Sequence, residues 1–423
     1  MATKGEIQPS HGGSAVWDPP SLAVVPYFSV DGLLTRGFTT GVTLRVTEIL
    51  GSVGDLRVTS ASSAMNLPRS LSIPQIGQQL GVDYVLRGQI LRSEQTLYFT
   101  QWLYEARTGA LIVEHEVECG LGQLEEFERD VLARVVADVR LPLKENEIDR
   151  IMERRPRNAS AYALTLRAQV AMCSLQRRSF YQAKRLLTSA LAKDPRYAMA
   201  YAWLARFHSI LIGQGWSKDR RRDVREAKRL AEIAIELDPQ NAIALATAGH
   251  LSSYLERDYA RGECLLRRAI KCCPNEPLGY LLLSATLAYT GRALEGRKCV
   301  EYALTLSPLD SQLYFFNNFA AVCCYAEGDY AMARKYALRS ERQNPHYSTT
   351  LKALAVSCVG LGEVSEAREA AKRLRWLEPT FNEKVARTTV PFQDPVLCEQ
   401  YIRQLRTAGC FDSPSLRRRR RPG

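Results

Sequence analysis

Histidine and cysteine are the side chains that most often carry chemistry in proteins, and their spacing here does not fit catalysis or metal binding. The five histidines stand at positions 11, 115, 208, 250 and 346, and no two lie at metal-ligand spacing. The eleven cysteines include two adjacent pairs but no Cys-x-x-Cys pair, whereas structural zinc sites use ligands two to four residues apart. The sequence therefore predicts no metal site and no cofactor.

The cysteines also bear on the compartment. Their number is odd, none precedes position 119, and most fall within helical apolar patterns. A secreted disulfide framework needs an even, spread set, whereas free cysteine behaves as a small apolar side chain in a core. The first twenty residues hold no apolar stretch of signal-peptide length, and no run reaches the ~18 apolar residues of a membrane helix. We therefore expect a cytoplasmic protein without a membrane span.

Sequence motifs of common enzymes are missing. The chain has no G-x-x-x-x-G-K-[ST] phosphate loop, no G-x-S-x-G nucleophile turn and no H-E-x-x-H. The glycine pair at 213–215 is followed by Trp216 instead of a phosphate-binding pattern, and this fits a loop. The sequence therefore predicts a protein that is not an enzyme.

Two basic clusters stand out in a chain of net charge +12. The first lies within the segment 213–226, where three acidic residues dilute it, and the second is an undiluted run near the carboxyl terminus. The basic residues of the two clusters are Lys218, Arg220, Arg221, Arg222 and Arg225, and then Arg417, Arg418, Arg419, Arg420 and Arg421. Such clusters are usually solvated surface, and the alternative is weak, salt-sensitive binding to nucleic acid or anionic lipid.

Most of the chain is built from a repeated pair of predicted helices, which must position the side chains named above. From residue 158 onward, two amphipathic helical patterns followed by a proline recur, with prolines at 195, 239, 274, 308, 345 and 379. Proline ends a helix because it lacks an N–H donor and collides with the preceding turn. Small residues, which let two helices approach closely, stand twelve residues before each proline. They are Ala183, Ala227, Gly262, Gly296, Ala333 and Ala367.

Most of these prolines follow one another at intervals near 34 residues, and turn glycines stand between the paired helices at Gly291, Gly328 and Gly362. This pattern resembles that of tetratricopeptide repeats. The resemblance covers about 220 residues. It implies stacked helix pairs whose first helices line a concave groove for an extended peptide or a partner helix. The groove positions that we expect to contact a partner are Phe207, His208, Tyr289, Asn317, Asn318 and Tyr325. The alternative for each of them is packing between neighbouring units.

Residues 21–145 follow a different pattern, in which short β-rich runs alternate with helical spacing. Strands are predicted at 21–28, 56–61, 83–92, 96–106 and 110–117, and helices at 41–53, 73–82 and 123–141. The order βαβαβββα predicts a small α/β layer domain. The predicted fold class of the whole chain is therefore α+β, with this layer domain followed by an all-α tetratricopeptide-repeat superhelix.

This first domain also resembles a known family. The segments SLAVVPYF, LRVTSASS, IGQQLGVDYVLRGQI and YEARTGALIVEHEV are similar to the amino-terminal domain of TolB-like proteins. In bacterial regulatory proteins this domain and a repeat array often follow a class III nucleotide cyclase domain or a winged-helix DNA-binding domain. The resemblance implies the regulatory portion of such a protein. Only about twenty residues precede the first predicted strand, so we expect no output domain.

The predicted organisation has five parts. We expect a disordered segment 1–20, the TolB-like domain at 21–145, about six repeats over 158–389, a capping helix at 390–410 and a disordered arginine-rich tail at 411–423. The leading interpretation is a non-enzymatic bacterial regulatory or scaffold protein that binds other proteins in its repeat groove, in a cyclase-linked or transcriptional signalling system. The sequence leaves the oligomeric state open.

Two further hypotheses come from other functional classes. The first is a DNA-binding transcriptional regulator that uses the basic tail and the basic insertion. The second is a degenerate cyclase, because FSVDGLLTRGFT (28–39) faintly resembles the metal-binding segment of class III cyclases. Against it, Asp31 stands six residues before Gly37, where that segment has a spacing of three.

Overall fold

The computed structural model of the chain describes residues 20–53, 56–120, 127, 131, 134–135, 159–173 and 175–412. Within these residues a small mixed sheet with its helices precedes an array of paired helices. This arrangement confirms the predicted α+β fold class. No helix among the described residues is long and apolar enough to cross a membrane.

The first domain is built on one mixed sheet. Its strands are β1 (Ser21–Val24), β2 (Phe28–Ser29), β3 (Arg57–Val58), β4 (Tyr84–Ser93), β5 (Thr96–Glu105) and β6 (Leu111–Gly120). The strand order is β3-β1-β4-β5-β6, and β2 pairs with β4. β1 runs parallel to β3 and β4, whereas β4, β5 and β6 are antiparallel. The parallel part requires a crossover, which the helix between β1 and β3 supplies.

Capping residues decide where the helices of this domain begin. These helices are α1 (Arg36–Gly51), α2 (Ala61–Met65) and α3 (Ile73–Leu80). α1 begins five residues before its predicted start because the Thr35 hydroxyl accepts the Phe38 N–H. The strand predicted at 56–61 is reduced to the two residues of β3, because Ser60 caps α2 by accepting the Ser63 N–H.

One face of the sheet is covered by side chains at helical spacing. Phe127, Val131 and Val135 are buried in the same apolar core as Phe99. The rings of Phe99 and Phe127 stack with their centroids 3.7 Å apart. The rest of the helix predicted at 123–141 lies outside the described residues.

The second domain contains six helix pairs within the described residues, numbered here units 1 to 6. They are α4 (Ala159–Cys173) with α5 (Arg177–Lys193), α6 (Ala198–Gly213) with α7 (Arg220–Leu237), α8 (Ala242–Leu251) with α9 (Tyr259–Cys272), α10 (Pro277–Tyr289) with α11 (Ala293–Leu306), α12 (Leu313–Ala326) with α13 (Tyr330–Gln343), and α14 (Ser348–Gly360) with α15 (Val364–Leu377). A π-helical turn, Ser252–Glu256, continues α8.

The repeated prolines fix the backbone at the end of each unit. The residue before each proline has φ between −123° and −147° and ψ between 68° and 95°. The proline ring disfavours the helical region for the preceding residue, so all six second helices end in the same way. The six residues are Asp194, Asp238, Cys273, Ser307, Asn344 and Glu378.

Small residues bring the two helices of each unit together. The alanines among them are fully buried. In units 3 and 4 the position is glycine because no space remains for a side chain. A Cβ on Gly262 would lie 1.9 Å from the Ser253 Oγ, and a Cβ on Gly296 would lie 2.5 Å from the Ser284 carbonyl oxygen.

The end of the array differs from the predicted capping helix at 390–410. A short helix α16 (Glu383–Thr389) comes first, residues 390–394 are not helical, and α17 spans Pro395–Thr407. α17 begins there because the Asp394 carboxylate accepts the Val396 N–H. α17 packs against α14 of unit 6.

The layer domain docks on the turns that connect units. The Asn275 Nδ2 donates to the Gly51 carbonyl at 2.9 Å and to the Leu56 carbonyl at 2.8 Å, and its Oδ1 accepts the Val58 N–H at 3.0 Å. In the next turn, the Ser307 and Ser63 hydroxyls lie 3.0 Å apart. Since buried amide groups need partners, these bonds hold the sheet domain against units 3 to 5.

Candidate functional site: the inner face of the repeats

The first helices of the units meet one another across the inside of the array. The Arg206 guanidinium on α6 lies 5.6 Å from the ring centroid of Phe315 on α12, three units further along. The rings of His250 on α8 and Phe319 on α12 lie 6.3 Å apart. Side chains of non-adjacent units can touch only if the array curves tightly. Side chains therefore fill the inner face where these helices meet.

This interior disfavours charge. Burial, together with a smaller effect of the nearby Arg206 cation, lowers the pKa of His250 to about 4. The His250 ring lies parallel to the Tyr254 ring at 5.4 Å. Burial raises the pKa of Glu276 above its ordinary value. Since burial penalises the charged form of each group, His250 is neutral at pH 7.

The predicted groove residues are all buried, and none is more than 6% exposed. They are Phe207, His208, Tyr289, Asn317, Asn318 and Tyr325. Two of them lie within the first two units. The Phe207 ring stacks on Phe180 at 4.4 Å, and the His208 Nδ1 lies 2.9 Å from the Asp223 carboxylate.

Two others lie on α12. The Asn317 Nδ2 donates to the Leu313 carbonyl and to the Gln343 Oε1, both at 2.9 Å. It therefore connects α12 to the end of α13. Asn318 is 1% exposed, and its Oδ1 has no hydrogen-bond partner in the described part of the chain.

The remaining two, Tyr289 and Tyr325, contact a later part of the same chain. Residues 390–393, called here the return segment, run from the end of unit 6 back to units 3 and 4. Arg257 and Tyr259 donate hydrogen bonds of 2.9 and 2.7 Å to the carbonyl oxygens of residues 390 and 391. The N–H of residue 393 donates to the Tyr289 carbonyl at 2.7 Å. The protein therefore binds the main chain of this segment on both sides.

An aromatic pocket receives the side chain of Phe392, which is 3% exposed. Its ring centroid lies 6.1 Å from that of Tyr289, 6.0 Å from that of Tyr325 and 5.8 Å from that of Tyr401. The Tyr325 hydroxyl donates to the Gln404 Oε1 at 2.6 Å. Donors to main-chain carbonyls beside an aromatic pocket are the elements of extended-peptide recognition. We call this site the Phe392 pocket.

A second feature lies on the outer surface of unit 1. Exposed cations on α5 surround a tyrosine and line an open depression of about 590 Å³. The lining residues, called here the basic face, are Arg177, Arg178, Tyr181, Lys184 and Arg185. None of the four cations forms an ion pair with a carboxylate among the described residues, although Lys184 lies near enough to Glu226 to lower the pKa of that carboxyl. The sequence carried a signal for this surface, since the seventeen residues of α5 include no Asp or Glu.

The predicted basic insertion lies beside the basic face. Its members are Lys218, just before α7, and Arg220, Arg221, Arg222 and Arg225, in the first two turns of α7. The Asp219 carboxylate caps α7 by accepting the Arg222 N–H at 3.0 Å. The Arg177 guanidinium lies 5.3 Å from the Trp216 ring centroid, so the insertion loop reaches the basic face. The predicted tail, Arg417 to Arg421, lies outside the described residues.

One group of side chains has the composition of a metal site. Ligand atoms of Cys358, Glu363 and Glu366 lie within 4.8 Å of one another. However, the Arg334 guanidinium lies 2.8 Å from Glu363 and 2.6 Å from Glu366. Both carboxylates are therefore engaged in ion pairs with the same arginine.

Comparisons with known proteins give one related sequence and a set of similar folds. No protein-family model matches the chain. A putative adenylate cyclase 3 from Rhizobium meliloti is 27% identical over 188 residues, which are 44% of this chain and 32% of that protein. The chain thus spans about a third of the length of the curated relative that it matches.

Similar solved structures include several helical-repeat proteins. The human IFIT1 dimer with m7Gppp-AAAA is 15% identical and covers 70% of this chain and 67% of its own, with a TM-score of 0.44. A tetratricopeptide repeat protein from Parabacteroides merdae is 14% identical and covers 66% and 96%, with a TM-score of 0.37. TolB from Acinetobacter baumannii is 19% identical and covers 29% of each chain, with a TM-score of 0.23. Scores this low transfer no function, and the TolB-like and winged-helix resemblances stay predictions.

Proposed function

We propose that the chain is a regulatory or scaffold protein without enzymatic activity of its own, and that it binds partner proteins through the inner face of its repeats. The observation that carries this proposal is the return segment in the Phe392 pocket. There the repeats bind an extended piece of polypeptide through its carbonyl oxygens and one aromatic side chain. A partner segment with the same chemistry would use the same contacts.

In this proposal the six predicted groove residues have two different roles. Tyr289 and Tyr325 form walls of the Phe392 pocket and would contact the partner. The other four are buried between helices and would affect binding only through the fold; they are Phe207, His208, Asn317 and Asn318. Binding then requires the return segment to leave, because a partner and Phe392 cannot occupy one pocket at the same time.

The test is peptide binding to variants of the full chain. A fluorescent peptide with the sequence VPFQDP, taken from residues 390–395, is titrated into the wild-type chain and into Phe392→Ala. We expect tighter binding to Phe392→Ala because its pocket is vacant. The substitution should also lower the free energy of unfolding by about 3 kcal/mol, as for a buried phenylalanine.

The matched control is Phe411→Ala, which removes a partly buried ring 5.8 Å from Phe381 and outside the pocket. Its peptide affinity should equal that of the wild type. Adding Tyr325→Ala to Phe392→Ala should abolish the gain. Equal affinity of the peptide for Phe392→Ala, Phe411→Ala and the wild type, with all three folded, would contradict the proposal.

The finer proposal is a role in cyclase-linked signalling, which the Rhizobium meliloti relative favours. The protein would supply the part that responds to a partner, while a cyclase supplies the chemistry. We expect no turnover of ATP or GTP by this chain with Mg²⁺ or Mn²⁺. Measured turnover by the purified chain would contradict the non-enzymatic part of the proposal.

A further inference from the structure

We propose that the basic face of unit 1, extended by the insertion of unit 2, binds an acidic helical segment of a partner protein. This second site lies outside the Phe392 pocket and does not depend on it. The proposal rests on how α5 presents its charges, on the absence of ion pairs to these cations among the described residues and on the spacing of the cations.

α5 has one buried face and one basic face. Its buried face packs Phe180 and Leu187 into the core of units 1 and 2. The opposite face exposes two cation pairs, Arg177–Arg178 and Lys184–Arg185, seven residues apart. At 1.5 Å per residue the pairs are separated by roughly 10 Å, or two helical turns. The basic face therefore presents two points of positive charge along one line.

These cations form no ion pairs within the described part of the chain, and only Lys184 interacts with a nearby carboxylate, that of Glu226. Elsewhere in the array arginines pair with glutamates of the next unit, as Arg267 does with Glu295 at 2.9 Å. On the basic face no such pair forms among the described residues. Like charges on one helix face repel, and an anionic partner would relieve this repulsion.

The insertion enlarges the positive surface. Lys218, Arg221, Arg222 and Arg225 are exposed and also have no acidic partner among the described residues. The contact of Arg177 with Trp216 holds the loop against α5. The two groups of cations thus lie side by side across two units, with the Asp219 carboxylate exposed among those of the insertion.

The spacing favours an acidic helix over nucleic acid. Two helices packed side by side repeat their contacts every seven residues, which is the distance between the two cation pairs. Between the pairs lies Tyr181, 44% exposed, which offers one apolar contact to such a helix. Proteins that bind single-stranded nucleic acid instead offer successive aromatic platforms along a groove, and the basic face has a single tyrosine.

The experiment uses the full chain and a designed helical peptide of about three heptads with glutamates at every seventh position. Its glutamine counterpart is the uncharged reference. We expect binding of the glutamate peptide, measured by fluorescence anisotropy, and loss of affinity as salt is raised. The double variant Arg178→Glu/Arg185→Glu should weaken binding by about tenfold or more, since both cation pairs then carry an opposing charge.

The matched control is Lys335→Glu/Arg368→Glu, which reverses two exposed cations on the second helices of units 5 and 6. This control, and Phe392→Ala, should bind the glutamate peptide as the wild type does. A failure of the Phe392 pocket would therefore leave this result intact. The proposal would be overturned if the control variant weakened binding of the glutamate peptide as much as Arg178→Glu/Arg185→Glu does. It would also be overturned if the wild-type chain bound the glutamine peptide as tightly as the glutamate peptide. Binding of poly(U) RNA or phosphatidylserine vesicles that is sensitive to the double variant, with no binding of the glutamate peptide, would overturn it too.

Discussion

The basic face of unit 1 differs from units 3 to 6 in how its exposed charges are paired. In the later units, Glu263 of unit 3 and Glu295 of unit 4 share Arg267 and Arg292 at 2.6 to 2.9 Å. Arg334 of unit 5 lies 2.6 Å from Glu366 of unit 6 in the same way. The cations of the basic face have no such partners among the described residues.

The inner side shows a related contrast. Units 3 and 4 bind the return segment, and the buried rings around Phe392 leave no open aromatic pocket there. Units with the same helix-pair architecture thus have different surroundings in the two parts of the array. In units 3 to 6, arginines and glutamates of successive units pair with one another, and units 3 and 4 bind the return segment. The contacts of these surfaces are therefore made within the chain. On the basic face, where the cations form no ion pairs among the described residues, we propose that another molecule supplies the counter-charges.

The largest effect should come from the glycine of the later units whose added Cβ would lie closest to a backbone atom. Gly296→Ala places a Cβ 2.5 Å from the Ser284 carbonyl oxygen, so the backbone of one helix must shift to admit it. We expect the free energy of unfolding to fall by about 3 kcal/mol. In unit 2 the same position is Ala227, and Ala227→Gly should cost only about 1 kcal/mol. Urea unfolding of both variants measures the difference, and equal values would show that both regions pack equally closely.

A smaller effect on stability should follow from lowering the pH, because burial lowers the pKa of two histidines in different units. The pKa of His250 is lowered to about 4 by burial and by Arg206. The unfolded chain therefore takes up this proton near pH 6.5 and the folded chain does not, so stability falls as pH falls. From pH 7 to pH 5 the loss should be roughly 2 kcal/mol.

Substitutions distinguish the contributions of the two histidines to this pH dependence. His250→Gln should remove this part of the pH dependence. Burial and Lys184 also lower the pKa of His208, but Asp223 opposes them. His208→Gln should therefore change the pH dependence less. Unfolding measured at pH 7 and pH 5 tests both variants, and a larger change from His208→Gln would reverse the comparison.

The smallest effect concerns the exposed charges themselves. Glu263→Gln removes the carboxylate shared by Arg267 and Arg292. The free energy of unfolding should fall by about 1 kcal/mol at low salt, because each exposed ion pair is weak and only the network of pairs contributes appreciably. Arg178→Gln should leave stability unchanged, since Arg178 has no acidic partner among the described residues. Both are measured by urea unfolding at low and high salt. A cost for Arg178→Gln as large as that for Glu263→Gln would remove the contrast between the units.

The repeated helix pairs could be predicted because their signals are local. A proline restricts the residue before it, and residues such as Gly262 and Ala333 mark the closest contact of two helices wherever they occur. These effects act within one unit, so one sequence suffices to find them. The start of α1 and the shortness of β3 were missed because single hydroxyls, those of Thr35 and Ser60, decide them.

The inner face could not be predicted because it depends on curvature. Helical spacing shows which side of α12 is apolar, but not that Phe315 meets Arg206 three units away. The return segment was predicted as part of a helix, because its contacts with Arg257 and Tyr259 lie more than a hundred residues earlier. The basic face was accessible from the sequence, through the missing acidic residues of α5.

The docking of the layer domain on the turns of the array affects how the chain can fold. In a simple solenoid each unit touches only its neighbours, so folding can begin anywhere and terminal units fray. Here Asn275 bonds to Gly51 across 224 positions, and Arg257 bonds to residue 390 across 133. Contacts between such distant positions slow folding. During synthesis, the sheet domain must wait for units 3 and 4 to emerge before its polar contacts are complete, and afterwards these parts lose structure together.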